Sequence, residues 1–159
     1  MNKTAFLHLD VHTEYSLGDS IVRVKELVKT AKSMLMPAVA MTDLSNLYGG
    51  IKFIRACVDN GVKPLIGVDV EVVEENGMTQ GRLILLCRNN AGYRHVCELL
   101  TNAYTLDADS AKVAIGFSEL SKGCGDLIAI SPSIDGAIGK LMYAGKLDQA
   151  RMTAEKYSY

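Results

Sequence analysis

Histidine is scarce and tryptophan is absent: the 159 residues include three His, no Trp and only three Pro. A two-metal phosphoesterase centre needs more imidazole and carboxylate ligands than this chain readily supplies. With 14 Gly beside so few Pro, the composition excludes collagen-like, low-complexity and disordered classes. No apolar run reaches the roughly 18 to 20 residues that cross a bilayer. The opening MNKTAFLHLD lacks the unbroken apolar core of a signal peptide, so the sequence predicts a cytoplasmic chain. Charge of one sign is also missing, since 17 basic residues face 18 acidic ones, a net of −1. Grip on a nucleic-acid backbone comes with a basic excess, so if this chain works near DNA, another segment holds it.

The cysteines form no C-x-x-C pair. Cys57, Cys87, Cys97 and Cys124 lie 30, 10 and 27 positions apart, each within an apolar stretch, and read as four reduced, buried small hydrophobes. Hydrophobic types make up 48% of the chain, enough for one soluble domain with its own core.

Apolar periodicity orders the chain. Residues 6–11 read as a strand running into a polar loop. Residues 21–35 carry apolar positions at helical spacing, with Asp19 or Ser20 as cap and Pro37 as terminator. Residues 38–41 read as a buried strand ending in Thr-Asp. In residues 51–60, Ile51, Phe53, Ile54, Cys57 and Val58 share a helical face, and Gly61 supplies the stop. Strands at 64–73 and 82–87 flank a turn at 75–77 and form a hairpin. A helix at 91–104 capped by Asn90, a helical turn at 117–120, a buried strand at 126–130 and helices at 134–144 and 147–157 complete the reading. Such alternation predicts an α/β fold with a mostly parallel sheet, either a barrel or a doubly wound sheet. About four parallel strands are too few to close a barrel, and the last helix breaks off without a cap; residues 1–159 are therefore expected to be the first part of a longer domain.

In parallel α/β folds ligands gather at the carboxyl ends of strands. Those ends carry Asp10, His12, Glu14 and Asp19; Thr42 and Asp43; Asp69 and Glu71; and Ser131 and Ser133. Carboxylates with an imidazole are raw material for a Zn²⁺, Mn²⁺ or Mg²⁺ site. Blander readings stand beside this one. His8 is a hydrogen-bonded strand residue, and Asp43 serves equally as a cap for the turn at 45–48 or as a ligand. Gly49-Gly50 is a tight turn, having no Lys or third Gly for phosphate. His95 lies within a helix and faces packing or solvent, while Arg82, Arg88, Arg94 and Lys112 are solvated charges.

Three stretches carry a resemblance: His8-Leu-Asp-Val-His-Thr-Glu-Tyr-Ser-Leu-Gly-Asp19, Met36-Pro-Ala-Val-Ala-Met-Thr-Asp43 with Asn46-Leu-Tyr-Gly-Gly50, and Gly61-Val-Lys-Pro-Leu-Ile-Gly-Val-Asp69. In that order and spacing they resemble the PHP (polymerase and histidinol phosphatase) domain at the N-terminus of bacterial DNA polymerase III alpha subunits. The resemblance implies a distorted (β/α)₇ barrel whose last strands lie past Tyr159. Metal-binding members carry His-x-His, Thr-Asp-His and later acidic and His ligands. This chain keeps His12, Asp19 and an acid at Asp69, but has Asp10 for the first His and Leu44 for the His after Thr-Asp. Leu83 and Ile134 fall near two further ligand positions. The resemblance thus implies a non-catalytic or weakly metal-binding domain in which Asp10, His12, Asp19 and Asp69 could hold at most one ion. It implies support of the polymerase body and docking of the proofreading exonuclease (epsilon) subunit. DNA is met through the full polymerase, and no membrane is involved. A residual metal-dependent phosphoesterase or 3′–5′ exonuclease is the competing expectation.

Overall fold

The computed structural model describes residues 6–73, 79–106 and 113–158. The chain forms two compact units, Met1–Val68 and Asp69–Tyr159.

In the first unit, residues 6–11 are extended without forming a regular strand. The carbonyls of His8 and Val11 accept the N–H groups of Ala40 and Thr42 at 3.0 and 2.9 Å, so the segment lies beside β1 (Ala38–Met41) on two backbone bonds. All four β1 residues are buried, as a short unbroken apolar run requires when both strand faces are covered. β1 pairs in parallel with the start of β2 (Lys63–Val73), from Ala38↔Lys63 to Met41↔Ile66.

Helix α1 (Val24–Ser33) is shorter than its periodicity predicts. Its N-cap is Arg23, in extended backbone with no side-chain cap, and Ile21 outside the helix is 95% exposed. Neither predicted cap is used as one: Ser20 Oγ donates to the His12 carbonyl, and Asp19 turns to the His12 ring. The helix closes where Leu35 takes φ +57° and Met36 N–H reaches back to the Ala31 carbonyl at 3.0 Å, one residue before Pro37.

Helix α2 (Gly50–Asn60) ends as predicted. Gly61 adopts φ +69° and Val62 N–H bonds the Cys57 carbonyl at 3.0 Å. The expected five-residue apolar face splits, however. Phe53 and Cys57, one turn apart, are fully buried against Val24, Val28, Val39 and Met41, whereas Ile51 and Val58 are 65% and 68% exposed.

In the second unit, the end of β2 pairs in parallel with β4 (Ala114–Gly116), a three-residue strand too short to announce itself in the sequence. β3 (Thr79–Cys87) pairs antiparallel with β5 (Leu127–Ile130), from Ile84↔Ile130 to Cys87↔Leu127. The sheet is mixed: β1 and β4 lie parallel to β2, while β3, the neighbour of β2, pairs antiparallel with β5. β5 is also not fully buried, since Ile128 is 50% exposed. The predicted turn at 75–77 and Lys112 lie outside the described residues.

Helices α3 (Asn90–Leu106), α4 (Phe117–Ser121), α5 (Ala137–Tyr143) and α6 (Leu147–Tyr157) complete this unit. The α3 cap is one residue earlier than predicted: Asn89 Oδ1 accepts the N–H groups of Ala91 and Gly92 at 2.8 and 3.1 Å. A Cβ at Gly92 would sit 2.2 Å from the Asp126 carbonyl oxygen, so only glycine lets the first turn of α3 lie on that backbone. α5 starts three residues later than predicted, with Ile134 57% exposed in the preceding loop. Among the described residues no helix is long and apolar enough to cross a membrane.

The four thiols are unbridged but not equally buried. Cys57 is buried, Cys87 and Cys97 are half-buried, and Cys124 is exposed because it lies in a glycine-flanked 3₁₀ turn (Cys124–Asp126). Burial pushes the thiols of Cys57 and Cys87 up to about 11, helped at Cys87 by Cys97. Since the thiolate is the reactive form, native protein titrated with Ellman's reagent at pH 8 is expected to lose Cys124 first, with Cys57 and Cys87 reacting only in denaturant. Equal rates at all four would show that the packing around Cys57 is wrong.

Candidate metal centre

The polar residues at the end of β1 form a hydrogen-bonded knot around Asp43. Its side chain is fully buried, and an ionised carboxylate in that position needs donors on both oxygens. Oδ1 accepts Thr13 N–H and Ser16 Oγ–H, both at 2.6 Å, and Oδ2 accepts Thr13 Oγ–H at 2.7 Å. The Ser16 hydroxyl also accepts Leu44 N–H at 3.1 Å. Thr42 extends the knot, its Oγ1 accepting Val11 N–H at 2.8 Å. The turn-cap reading of Asp43 does not hold. The turn at 45–48 is shaped by Asn46, whose Oδ1 accepts Tyr48 N–H and whose Nδ2 donates to the Tyr15 and Leu44 carbonyls. Asp43 instead spends both oxygens on fastening residues 13–16 to the strand end.

That fastening sets up His12, the residue before Thr13. Its Nδ1 lies 2.5 Å from Asp19 Oδ2 and its Nε2 lies 3.8 Å from Asp10 Oδ1. The imidazole is mostly buried, and the carboxylates on either side are 54% exposed at Asp10 and 42% at Asp19. A carboxylate on one ring nitrogen fixes the orientation of the other, the usual arrangement around a histidine that binds a metal or carries a proton. Three predicted site residues, Asp10, His12 and Asp19, are thus gathered in the first unit.

The other first-unit candidates do something else. Glu14 pairs with Lys52 at 2.6 Å, and Lys52 also lies 5.3 Å from the centre of the Tyr15 ring. The hydrogen bond from Lys52 holds the Glu14 carboxyl below its ordinary range, and the same bond raises the Lys52 ammonium. His8 is exposed and packs edge-on against Phe6, with ring centres 4.8 Å apart. Gly49 is a close-approach position: a Cβ there would lie 2.7 Å from Tyr15 Cδ2, so the turn reading stands.

In the second unit Asp69 is 1% exposed and is gripped by Arg82. Arg82 Nε donates to Asp69 Oδ1 at 3.1 Å and Nη2 donates to Oδ2, a two-pronged pairing. Arg82 is therefore no solvated charge. A lone Arg at the start of an apolar strand reads as exposed, and no local pattern marked its partner. Glu71 is half-buried on β2 opposite Ala114. Ser131 and Ser133 are exposed, and because β5 runs against β3 its carboxyl end is not the site-bearing end of a parallel sheet. His95 packs as predicted, with Nε2 3.4 Å from the Leu120 carbonyl, and Arg94 is exposed. Arg88, read as solvated, donates to the Gly125 carbonyl at 3.1 Å.

Residues 8–158 match the family model of the PHP domain. The chain belongs to that family. The DNA polymerase III subunit alpha of Pseudomonas aeruginosa is 37% identical over 144 residues, covering 89% of this chain and 12% of that protein. The corresponding subunit of Vibrio cholerae is 34% identical over 158 residues, covering 99% of this chain and 14% of that protein. This PHP domain thus spans about one-eighth of the length of those relatives. Among solved structures, a protein assigned as a metal-dependent phosphoesterase, from Bifidobacterium adolescentis, superposes with a TM-score of 0.52 at 17% identity. That match covers 67% of this chain and 36% of the other, a likeness of fold.

Several of the acids and positions named from the sequence are occupied by protein groups or are apolar. Both Asp43 oxygens are already taken by protein donors, Leu44 offers no ligand atom, and Asp69 has a guanidinium as counter-charge. In the first unit Asp10 and Asp19 lie on either side of the His12 ring, 3.8 and 2.5 Å from its two nitrogens.

Two substitutions test these assignments. Arg82→Met takes the guanidinium from a buried carboxylate and is expected to lower the unfolding free energy by about 3 kcal/mol in urea titration; pairing it with Asp69→Leu is expected to recover most of the loss. Asp43→Asn turns an acceptor into a donor facing donors and is expected to cost about 2 kcal/mol, with exposure of residues 13–16 read by amide exchange.

Proposed function

We propose that this PHP domain belongs to a cytoplasmic replicative DNA polymerase III alpha subunit, as a non-catalytic or weakly metal-binding part. On this reading it supports the polymerase body and docks the proofreading exonuclease (epsilon) subunit, while DNA is held by the rest of the polymerase. The observation that carries the reading is the Arg82 fork on Asp69. An acid at a family ligand position has an organic cation as its partner, which performs the charge balance a metal would otherwise supply. The all-protein saturation of Asp43 and the apolar Leu44 favour it too. The near-zero net charge suits a domain whose partners are proteins. A (β/α)₇ barrel needs more strands than the five described, and the reading places residues 1–159 within such a barrel.

The second reading, a residual metal-dependent phosphoesterase or 3′–5′ exonuclease, draws on Asp10, His12, Asp19 and Asp69 as ligands of one Zn²⁺, Mn²⁺ or Mg²⁺ ion. His12 with its oriented ring is the observation that favours it. Metal-activated water and charge stabilisation would both fall on that single ion.

Metal analysis after dialysis against Mn²⁺ or Zn²⁺, with hydrolysis of a phosphodiester by the chain and its His12→Ala variant, separates the two. The expected result is at most one loosely held ion and no hydrolysis above that of the variant; a stoichiometric ion with His12-dependent turnover would establish the second reading. Calorimetry with the exonuclease subunit is expected to register binding at tens of micromolar or tighter, and its absence would remove the docking role.

A further inference from the structure

Where Asn or Asp precedes glycine, a chain can attack its own side chain: the next backbone nitrogen and the side-chain carbonyl carbon close a five-membered ring, and glycine has no Cβ to shield that nitrogen. The sequence holds three such pairs, Asn60-Gly61, Asn76-Gly77 and Asp135-Gly136, of which the second lies outside the described residues. The structure treats the other two in opposite ways. At Asn60-Gly61 both reacting groups are tied at the closed end of α2: Asn60 Nδ2 donates to the Ala56 carbonyl at 2.9 Å, and Gly61 N–H donates to the Val58 carbonyl at 3.2 Å. Asp135 is exposed in the loop between β5 and α5, and its carboxylate has no hydrogen-bond or ion-pair partner among the described residues. The backbone bond that fixes this pair uses the Asp135 carbonyl, which accepts Arg82 N–H at 3.0 Å, and leaves the Gly136 nitrogen out.

Packing keeps glycine at 136. A Cβ there would lie 2.5 Å from the Pro132 carbonyl oxygen and 2.7 Å from Ser131 Oγ, although the φ of −74° would suit any residue. The fold thus requires the one neighbour that leaves Asp135 open to attack. We propose that Asp135-Gly136 is a self-modification site of the native chain, at which aspartate converts to isoaspartate. The Gly136 nitrogen bonds to Asp135 Cγ, the carboxyl hydroxyl leaves with the proton of that nitrogen as water, and a succinimide ring closes. Water then adds at the former backbone carbonyl of Asp135 and breaks its bond to the Gly136 nitrogen. One water leaves and one enters, so the product has the starting composition and no oxidant or cofactor takes part. The chain now runs through Cγ, and the α-carbonyl of Asp135 has become a free carboxylate. The added backbone carbon falls where there is no slack, since a Cβ on Gly81 would lie 2.4 Å from the Ala137 nitrogen and 2.8 Å from the Gly136 carbonyl carbon. The bond from Arg82 N–H and the bridge between Arg82 and Gly136 therefore loosen, beside the side chain that grips Asp69. This site stands apart from the polymerase reading and from the metal question.

The test incubates the 159-residue chain at 37 °C and pH 6 for several weeks, then digests it and maps the peptides by chromatography and mass spectrometry, scoring each of the three pairs separately. The peptide carrying Asp135 is expected to split into two species of equal mass, the new one accepting a methyl group from an isoaspartate methyltransferase, while the peptide carrying Asn60 keeps its mass. Asp135→Glu, an exposed substitution that would need a six-membered ring, is expected to remove the new species. Hydrogen exchange on the aged protein is expected to show lost protection at the Arg82 amide and unchanged protection in α2. A single Asp135 species in the native chain, while the same chain in urea forms isoaspartate, would overturn the proposal by showing that the fold shields the pair. Equal conversion at Asn60 and Asp135 would overturn it as well, and unchanged Arg82 exchange beside isoaspartate at 135 would remove the coupling to Arg82.

Discussion

A buried carboxylate must be met by hydrogen-bond donors, and at Asp43 that requirement organises the end of the first unit. The side chain sits one residue past Thr42, where the chain leaves β1, and draws in the backbone and hydroxyl of Thr13 and the hydroxyl of Ser16. Those bonds span 27 to 30 positions of sequence, so they fix the path of the loop more firmly than any local turn could. The orientation of His12 follows from it, because the preceding residue inherits the placement of Thr13. Tyr15, held in the same loop, then lies against Gly49 with no room for a side chain between them.

Counter-charge is supplied in three different currencies across the candidate residues. Asp43 has neutral hydroxyl and amide dipoles, Asp69 has a permanent guanidinium, and Asp19 has a titratable imidazole. Only the last is of a kind that a metal ion readily replaces. Neutral donors aimed from a rigid loop are pre-organised for the carboxylate, and a two-pronged guanidinium adds geometry to charge. The same division runs through the reading proposed for the domain: the acids are kept, and protein groups satisfy most of them.

The sequence made β1, β2, the Gly61 stop, α4 and α6 legible within a residue or two, because each rests on a local pattern: an unbroken apolar run, a 3.6-residue period, or a glycine at a left-handed position. What it hid depended on partners distant in sequence. Arg82 looked solvated because nothing near it announces Asp69, 13 positions away. β4 is three residues long and exists by pairing with β2, so no periodicity could reveal it. Ile21 and Val22 extended the α1 pattern, yet the helix starts after them because residues 19–20 are tied to His12. The candidate site was legible as a set of residue types, of which His12 and Asp19 lie 2.5 Å apart. Their division into structural and metal-capable acids was not legible, since it turns on which oxygen already has a donor.

The Arg82 fork also constrains the order in which this protein could change. Two routes lead from a guanidinium-balanced acid to a metal-balanced one, and they are not equivalent. If Arg82 is replaced first, the chain must persist for a time with Asp69 buried and without its guanidinium. If new ligands appear first, any ion reaching Asp69 competes against a cation that is covalently tethered and never dilutes away. Either path passes through a less fit intermediate, so the pair works as a ratchet: easily kept once formed, and hard to reverse one substitution at a time.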